Sequence, residues 1–310
     1  MSMQNALEKI RTFEGRTVLH PRHIRALERL DECYALTVET KKTRSVMVVG
    51  ESGVGKSTLM NAFVEKYPRK ETRNQTIIPV LVVSVPSSPS KGAMADAILT
   101  KFGDIYVRGS VQDKRARILL LMKQCGVKCL VLDEFQHFID RGGTRTYSAV
   151  ADWIKEVMNE AGVSVIAFGL QNGLLMLRSN SQMRRRFSSS INLLPWSLDT
   201  DEDRLEFRRL IKAFEKAMEL PEQSLLYGDE MATRIYYACD GKIGYLAPFL
   251  SRALYLSLIN GGQKVELEHL NRAFIDQIWG SASSKDNPFS ADFTFRRLNR
   301  LGEPFEPPLI

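Results

Sequence analysis

Residues 50–57 read Gly-Glu-Ser-Gly-Val-Gly-Lys-Ser, and no other stretch limits so tightly what this chain can fold into. The segment before it, 45–49, is apolar and rich in valine, as a strand buried in a parallel sheet requires. The segment after it, 56–67, is compatible with a helix. Strand, glycine turn, helix is the context in which a G-x-x-x-x-G-K-[ST] run has a mechanism. The glycines let the backbone curl with its N–H groups turned inward onto phosphate oxygens, and the helix adds its positive end. In such a loop Lys56 reaches the β- and γ-phosphates, and the Ser57 hydroxyl serves Mg²⁺. Gly50, Glu51, Ser52, Gly53, Val54, Gly55, Lys56, Ser57 and Thr58 are therefore the expected contacts to ATP. A chance glycine-rich turn would not account for the strand and helix that flank it.

A second run, Cys129-Leu130-Val131-Leu132-Asp133-Glu134, is apolar and ends in two acids. Carboxylates at the end of a buried strand need a reason, because burying them unpaired is costly. Asp133 fits the residue that holds Mg²⁺ and Glu134 the base that activates the attacking water. The alternative is an ordinary strand end with a solvated Asp-Glu turn. Phe135 and Gln136 follow, and neither gives a reason to expect impaired water activation. A third feature, Arg184-Arg185-Arg186-Phe187, reads in isolation as a solvated face or a phosphate patch. In a ring or filament ATPase the same position supplies an arginine finger to a neighbouring subunit, with Arg186 the first candidate and Arg185 the second. A fourth is Gln171-Asn172 after the run 163–168, which either orients the lytic water or caps a helix.

Further apolar runs at 77–85, 129–132, 163–168 and 191–194 alternate with helical stretches around 93–102, 114–124 and 148–161. In the last of these, Val150, Trp153, Ile154, Val157 and Met158 share one side. This alternation predicts an α/β fold, a parallel sheet with helices on both faces. Residues 1–44 read as a polar helical segment, with Pro21 in a first turn and Ile24, Leu27, Leu30 and Tyr34 on one face. After Pro195 the patterns are helical only, at 203–218, 228–238, 243–258 and 267–278. The expected organisation is an N-terminal segment 1–44, a P-loop core 45–198, a small helical lid 199–280 and an extended tail 281–310. The prolines and phenylalanines of that tail suggest docking onto something, without a core of its own.

Lysine and arginine exceed the acids by 43 to 36, giving a net charge of +7, which permits nucleic-acid binding without demonstrating it. No apolar stretch reaches the roughly 18 residues of a membrane span, and the N-terminus lacks a secretory apolar region, so a cytoplasmic protein is expected. Cys33, Cys125, Cys129 and Cys239 are scattered, with only His137 near the one close pair, and read as reduced, partly buried thiols.

Taken together these residues resemble the TniB/TnsC family of AAA+ ATPases, the transposition regulators. The resemblance rests on His20-Pro21-Arg22, GESGVGKST at 50–58, LVLDEFQHF at 130–138, the Trp153-Ile154-Lys155 helix, GVSVIAFG at 162–169, RRRF at 184–187 leading into INLLPW, GKIGYL at 241–246, and a tail with NPF and GEPF. It implies a P-loop AAA+ sheet with a helical lid, and ATP-dependent, self-associating rings or helical filaments on double-stranded DNA. It also implies partners, a TniQ-type targeting protein and a DDE transposase, and disassembly by hydrolysis. Family filaments touch the DNA backbone from the segments after the second strand, which here carry Lys91, Lys101, Arg108, Lys114 and Arg115. Such contacts neutralise phosphates and read little sequence; the alternative is that these are ordinary solvated charges. The lid arginine that touches nucleotide in many related proteins has no counterpart in Gly241-Lys242-Ile243-Gly244, where Lys242 is the candidate substitute. Two other classes compete: a protein-remodelling ATPase without a DNA role, and an ATPase of the replication-initiator or clamp-loader type.

Overall fold

The structure, a computed structural model, describes residues 3–104, 108–140, 144–174, 187 and 189–307. Its contacts divide the chain into two compact units. One runs from Arg22 to Glu51 and from Lys56 to Leu193; the other gathers the N-terminal stretch to Pro21, the four residues Ser52–Gly55 and everything from Leu194 onward.

The first unit is built on five parallel strands: β1 (Ser45–Gly50), β4 (Val80–Ser84), β5 (Cys129–Asp133), β6 (Ser164–Gly169) and β7 (Ser189–Leu193), in the spatial order β4-β5-β6-β1-β7. β1 lies between β6 and β7, with Val48 opposite Phe168 on one side and Ile191 on the other. Its residues are buried throughout, which is why it reads as a continuous apolar run with no alternation. A short hairpin, β2 (Lys70–Glu71) with β3 (Thr76–Ile77), takes the start of the segment expected as one long strand at 77–85. Pro79 ends that hairpin and the sheet strand begins at Val80.

Alternate sheet residues, among them Met47, Val49, Leu130, Leu132, Val165 and Ala167, enter a core with the helices α4 (Lys91–Lys101), α5 (Val111–Gln124) and α7 (Thr144–Ala161). Val150, Trp153, Ile154, Val157 and Met158 of α7 are all buried there. Ser110 caps α5, accepting from the Asp113 amide while Asp113 accepts from the Ser110 amide. α3 (Lys56–Lys66) packs on β1 and β6, and α2 (Pro21–Thr40) reaches it through Tyr34, stacked on Tyr67, and through an Asp31–Lys66 ion pair. The face α2 buries is His23, Ala26, Leu30, Cys33 and Thr37. Of the expected stripe only Leu30 is buried, and Ile24 is exposed. A polar histidine and threonine hide among small residues on the true face, so apolarity alone misplaced it by one position. α6 (His137–Asp140) follows β5.

The second unit is helical: α1 (Met3–Glu14), α8 (Asp201–Met218), α9 (Asp229–Cys239), α10 (Ile243–Ile259) and α11 (Leu267–Gln277). Thr200 caps α8, ahead of Asp201, Glu202 and Asp203 in its first turn, where acids suit the positive end of a helix. The tail follows as turns and irregular chain, and it completes this unit's core. Phe289, Phe293, Leu298 and Phe305 are buried with Phe207, Phe249 and Phe274, and Phe289 stacks on Phe249 at 5.3 Å. Arg296 fastens two of its turns by pairing with Asp286 and Glu303, which holds the Glu303 carboxyl below its usual range. The four cysteines are all free thiols. Among the described residues no helix is long and apolar enough to cross a membrane.

Candidate functional site

Because the five strands are parallel, the carboxyl ends of β1, β5 and β6 share one sheet edge, where open α/β sheets place their ligands. Gly50 ends β1 there, Asp133 ends β5 and Gly169 ends β6. The loop after β1 turns at Gly53 and Gly55, with φ of 82° and 94°, values that only glycine adopts without strain. Lys56 then opens α3, so the loop's amides and the helix's positive end coincide. The Lys56 ammonium donates to the carbonyl oxygens of Gly50 at 2.9 Å and Glu51 at 2.7 Å. Burial pulls its pKa below the ordinary lysine value, against the opposing pull of the Glu134, Asp133 and Glu51 carboxylates.

Asp133 and Glu134 stand beside that lysine. Burial raises the Asp133 pKa; the Glu134 charge adds to the rise, while the Glu134 amide, Lys56 and His137 oppose it. The Glu134 amide donates to Asp133 Oδ1 at 2.8 Å. Glu134 itself has φ of 55°, a left-handed conformation that costs a non-glycine residue free energy and re-aims its side chain away from the strand direction. Phe135 returns to the sheet, its amide donating to the Phe168 carbonyl at 2.9 Å, and His137 Nδ1 donates to the Val85 carbonyl at 2.9 Å. Ser57 and Asp133, a hydroxyl and a carboxylate, are the hard oxygen donors that fit Mg²⁺, an ion that keeps most of its shell as water and phosphate. Among the described residues no group of three His, Cys, Asp or Glu clusters around a common point.

Gln171 and Asn172 follow β6 in a turn in which the Leu174 amide donates to the Gln171 carbonyl at 3.0 Å. Arg185 and Arg186 lie outside the described residues; Phe187 after them is buried, its ring 6.0 Å from that of Phe135. Of the five cations expected to face DNA, Lys91, Lys101 and Arg108 are exposed. The other two are engaged within the unit: Lys114 pairs with Asp96 at 2.6 Å and Arg115 with Glu160 at 2.6 Å.

In the helical unit the apex of the phosphate loop, Ser52–Gly55, meets the turn that opens α10. The Gly244 amide donates to the Gly53 carbonyl at 2.7 Å, and a Cβ on Gly53 would lie 3.6 Å from the Tyr245 ring and 3.7 Å from Lys242 Cβ. Lys242 is 3.3 Å from the carboxylate of Asp240, which is 2% exposed and also accepts from Arg297 Nε at 2.7 Å and Nη2 at 2.9 Å. Sequence reasoning missed Gly244, Asp240 and Gln136. The only signal for the first two was a Gly-Lys-Ile-Gly turn directly after an aspartate, and for the third a glutamine set between two phenylalanines.

The sequence model of the bacterial TniB protein matches residues 9–198, more than half of the chain. The chain belongs to the TniB family. No curated protein matches it in sequence. Among solved structures this TniB family member is similar in fold to the Cdc6p protein of Pyrobaculum aerophilum, at 15% identity and a TM-score of 0.64 over 87% of this chain and 71% of that one. The ORC1 protein of Aeropyrum pernix, solved in complex with DNA, is similar at 16% identity and a TM-score of 0.63, over 84% of this chain and 66% of that one. The RuvB Holliday junction branch migration motor of Thermotoga maritima aligns at 14% identity and a TM-score of 0.52, over 85% and 70%. The chain thus spans about two thirds of the length of these neighbours. Its fold is the P-loop AAA+ fold.

Proposed function

We propose that this chain binds ATP, assembles on duplex DNA in the ATP-bound state, and leaves it after hydrolysis, as a regulator of DNA transposition acting in the cytoplasm. The observation that carries the reading is the convergence, on one edge of a parallel sheet, of the Lys56 loop with the Asp133–Glu134 pair in a TniB family member. The loop amides, Lys56 and Thr58 would hold the phosphates, and Ser57 and Asp133 would hold Mg²⁺, which neutralises phosphate charge when bound. Glu134 would take a proton from water as its oxygen bonds to the γ-phosphorus. The bond to the β,γ-bridging oxygen breaks, leaving ADP and inorganic phosphate. Gln171 would orient that water, and Lys242 would sense the nucleotide.

Neighbouring copies in a ring or filament would supply Arg186, or else Arg185, to the γ-phosphate, so that ATP joins protomers and hydrolysis separates them. DNA would be held by its backbone with little base preference. A TniQ-type targeting protein and a DDE transposase would be the partners at either side of the assembly. The likeness in fold to ORC1, solved with DNA, favours replication initiation as the second reading.

Electron microscopy and gel shift with duplex DNA test the proposal. Wild type should assemble with a slowly hydrolysed ATP analogue and not with ADP, and Glu134→Gln should persist on DNA with ATP. A monomer indifferent to both ligands would refute it. Strand transfer stimulated by the protein with a cognate transposase separates transposition from initiation.

A further inference from the structure

Gln136 is 7% exposed, and both ends of its amide are used. Its Oε1 accepts from the Leu170 amide at 3.2 Å, and its Nε2 donates to Glu134 Oε2. The chemistry fixes which way round the amide sits, because a backbone N–H can only donate and a carboxylate only accept. Gln136 thereby bridges two strand ends that do not adjoin in sequence: the acid pair after β5 and the first residue after β6, which leads into Gln171 and Asn172.

The surroundings hold this bridge on all sides. Phe135 and Phe138, which flank it, are fully buried with their rings 5.1 Å apart. Gly169, opposite the amide, leaves little space: a Cβ there would lie 3.1 Å from Gln136 Oε1 and 3.2 Å from Phe135 Cβ, so these neighbours would have to give by a few tenths of an ångström. Glu134, by contrast, is exposed and sits in a left-handed conformation that its own backbone does not favour. An exposed carboxylate on a strained turn samples several rotamers unless a rigid neighbour selects one.

We propose that Gln136 is a positioning residue, which fixes the Glu134 carboxylate and ties it to the Leu170 amide so that the base and the polar pair after β6 move as one. The inference deepens the hydrolysis reading above and rests on it. It assigns to Gln136 an effect on turnover and none on nucleotide capture, since the amide touches the acid and not the phosphate loop.

The test is a double-mutant cycle on ATP turnover in the full chain. Gln136→Met keeps length and volume and removes both hydrogen bonds. It should lower kcat about tenfold, the scale of a misplaced catalytic group, with KM and ATP affinity unchanged. In the Glu134→Gln background the same change should cost nothing further, because the group it positions is gone. Gly169→Ala reaches the bridge from the other side and should give the same kcat-only loss at about threefold, which covers a Gln136→Met protein that fails to fold. Wild-type kcat in both variants, or a loss that adds in full to that of Glu134→Gln, overturns the positioning role. If Glu134→Gln itself hydrolyses ATP at the wild-type rate, the base reading is what has failed, and the role given to Gln136 falls with it.

Discussion

The Gly244 amide and the Gly53 carbonyl are joined by a 2.7 Å hydrogen bond, so the first turn of α10 is pinned to the apex of the phosphate loop. Glycine is required at 244 by space: a Cβ there would stand 2.8 Å from Gly53 Cα and 3.0 Å from its oxygen, a contact with backbone that no rotamer relieves. Gly244→Ala should push the two turns apart and disturb the loop's inward amides. Losing one hydrogen bond and adding strain costs about 1–2 kcal/mol, so ATP affinity should fall roughly tenfold. Titration with a fluorescent ATP analogue measures this, and circular dichroism should show an unchanged fold. Unaltered affinity would mean that the loop holds its shape without α10.

Burial works against the charge on Asp133 and on Lys56 alike. Burial raises the acid's pKa and lowers the base's, so the fold resists each charge that the proposed chemistry needs. For an acid with a raised folded pKa, the stabilising contribution is complete below the unfolded pKa and lost as pH rises through the folded one. The charge that Asp133 takes on as pH rises therefore weakens the nucleotide-free protein. Asp133→Asn keeps an oxygen for the Glu134 amide and removes the charge. It should abolish hydrolysis yet raise Tm by about 1–3 °C at pH 7. That gain should shrink as pH falls toward and below the ordinary carboxylate range, because the raised pKa lets folded Asp133 take up its proton before the unfolded chain does. Thermal melts of the two proteins across pH supply the check; a lower Tm for Asp133→Asn at pH 7 would show that the carboxylate is a net structural partner.

Much of this site was legible before any coordinates. The glycine turn between a valine-rich run and a helix, and the four apolar residues ending at Asp133, are local patterns whose chemistry and geometry coincide. The five strands were also readable, because buried parallel strands are apolar throughout. What stayed hidden is what depends on contacts distant in sequence. Gln136 to Leu170 spans 34 residues and Arg297 to Asp240 spans 57, and neither partner carries a local signature. The stripe on α2 was misjudged because burial there selects Ala26, Cys33 and Thr37 for size, while the larger Ile24 faces outward. The tail reads from its prolines as an extended arm that docks onto something, and its phenylalanines enter the core of the helical unit of the same chain.

Asp240 is the point at which that tail meets the α9–α10 turn. It is 2% exposed, with φ of 51°, and Arg297 supplies two parallel hydrogen bonds to its carboxylate. A buried carboxylate that loses a fork-shaped partner keeps its desolvation cost without the compensation. Arg297→Ala should destabilise the protein by about 2 kcal/mol, moderated by the arginine's half-exposed position. Arg297→Lys should recover only part of this, since an ammonium cannot make both bonds. Asp240→Asn combined with Arg297→Ala should be more stable than Arg297→Ala alone, because the buried charge, left with Lys242 but without Arg297, is gone. Chemical denaturation of these three variants with wild type and Asp240→Asn reads the series, and additive losses in the double variant would contradict a coupled pair.

The basic residues proposed to face DNA divide by their present partners. Lys91, Lys101 and Arg108 are exposed, whereas Lys114 and Arg115 already neutralise Asp96 and Glu160 inside the unit. A cation that must leave a carboxylate to reach a phosphate releases little net free energy, so the two groups should differ in their salt signature. Each phosphate neutralised adds about 0.9 to the slope of log K against log salt. Replacing Lys91, Lys101 and Arg108 together by alanine should flatten the slope of ATP-dependent DNA binding by about two to three, with the same loss on unrelated duplexes. Replacing Lys114 and Arg115 should leave the slope almost unchanged and lower Tm, since their charges hold α4, α5 and α7 together. Fluorescence anisotropy at a series of salt concentrations distinguishes the outcomes. A flattened slope from the second pair alone would mean that DNA draws those side chains out of their ion pairs and binds a rearranged surface.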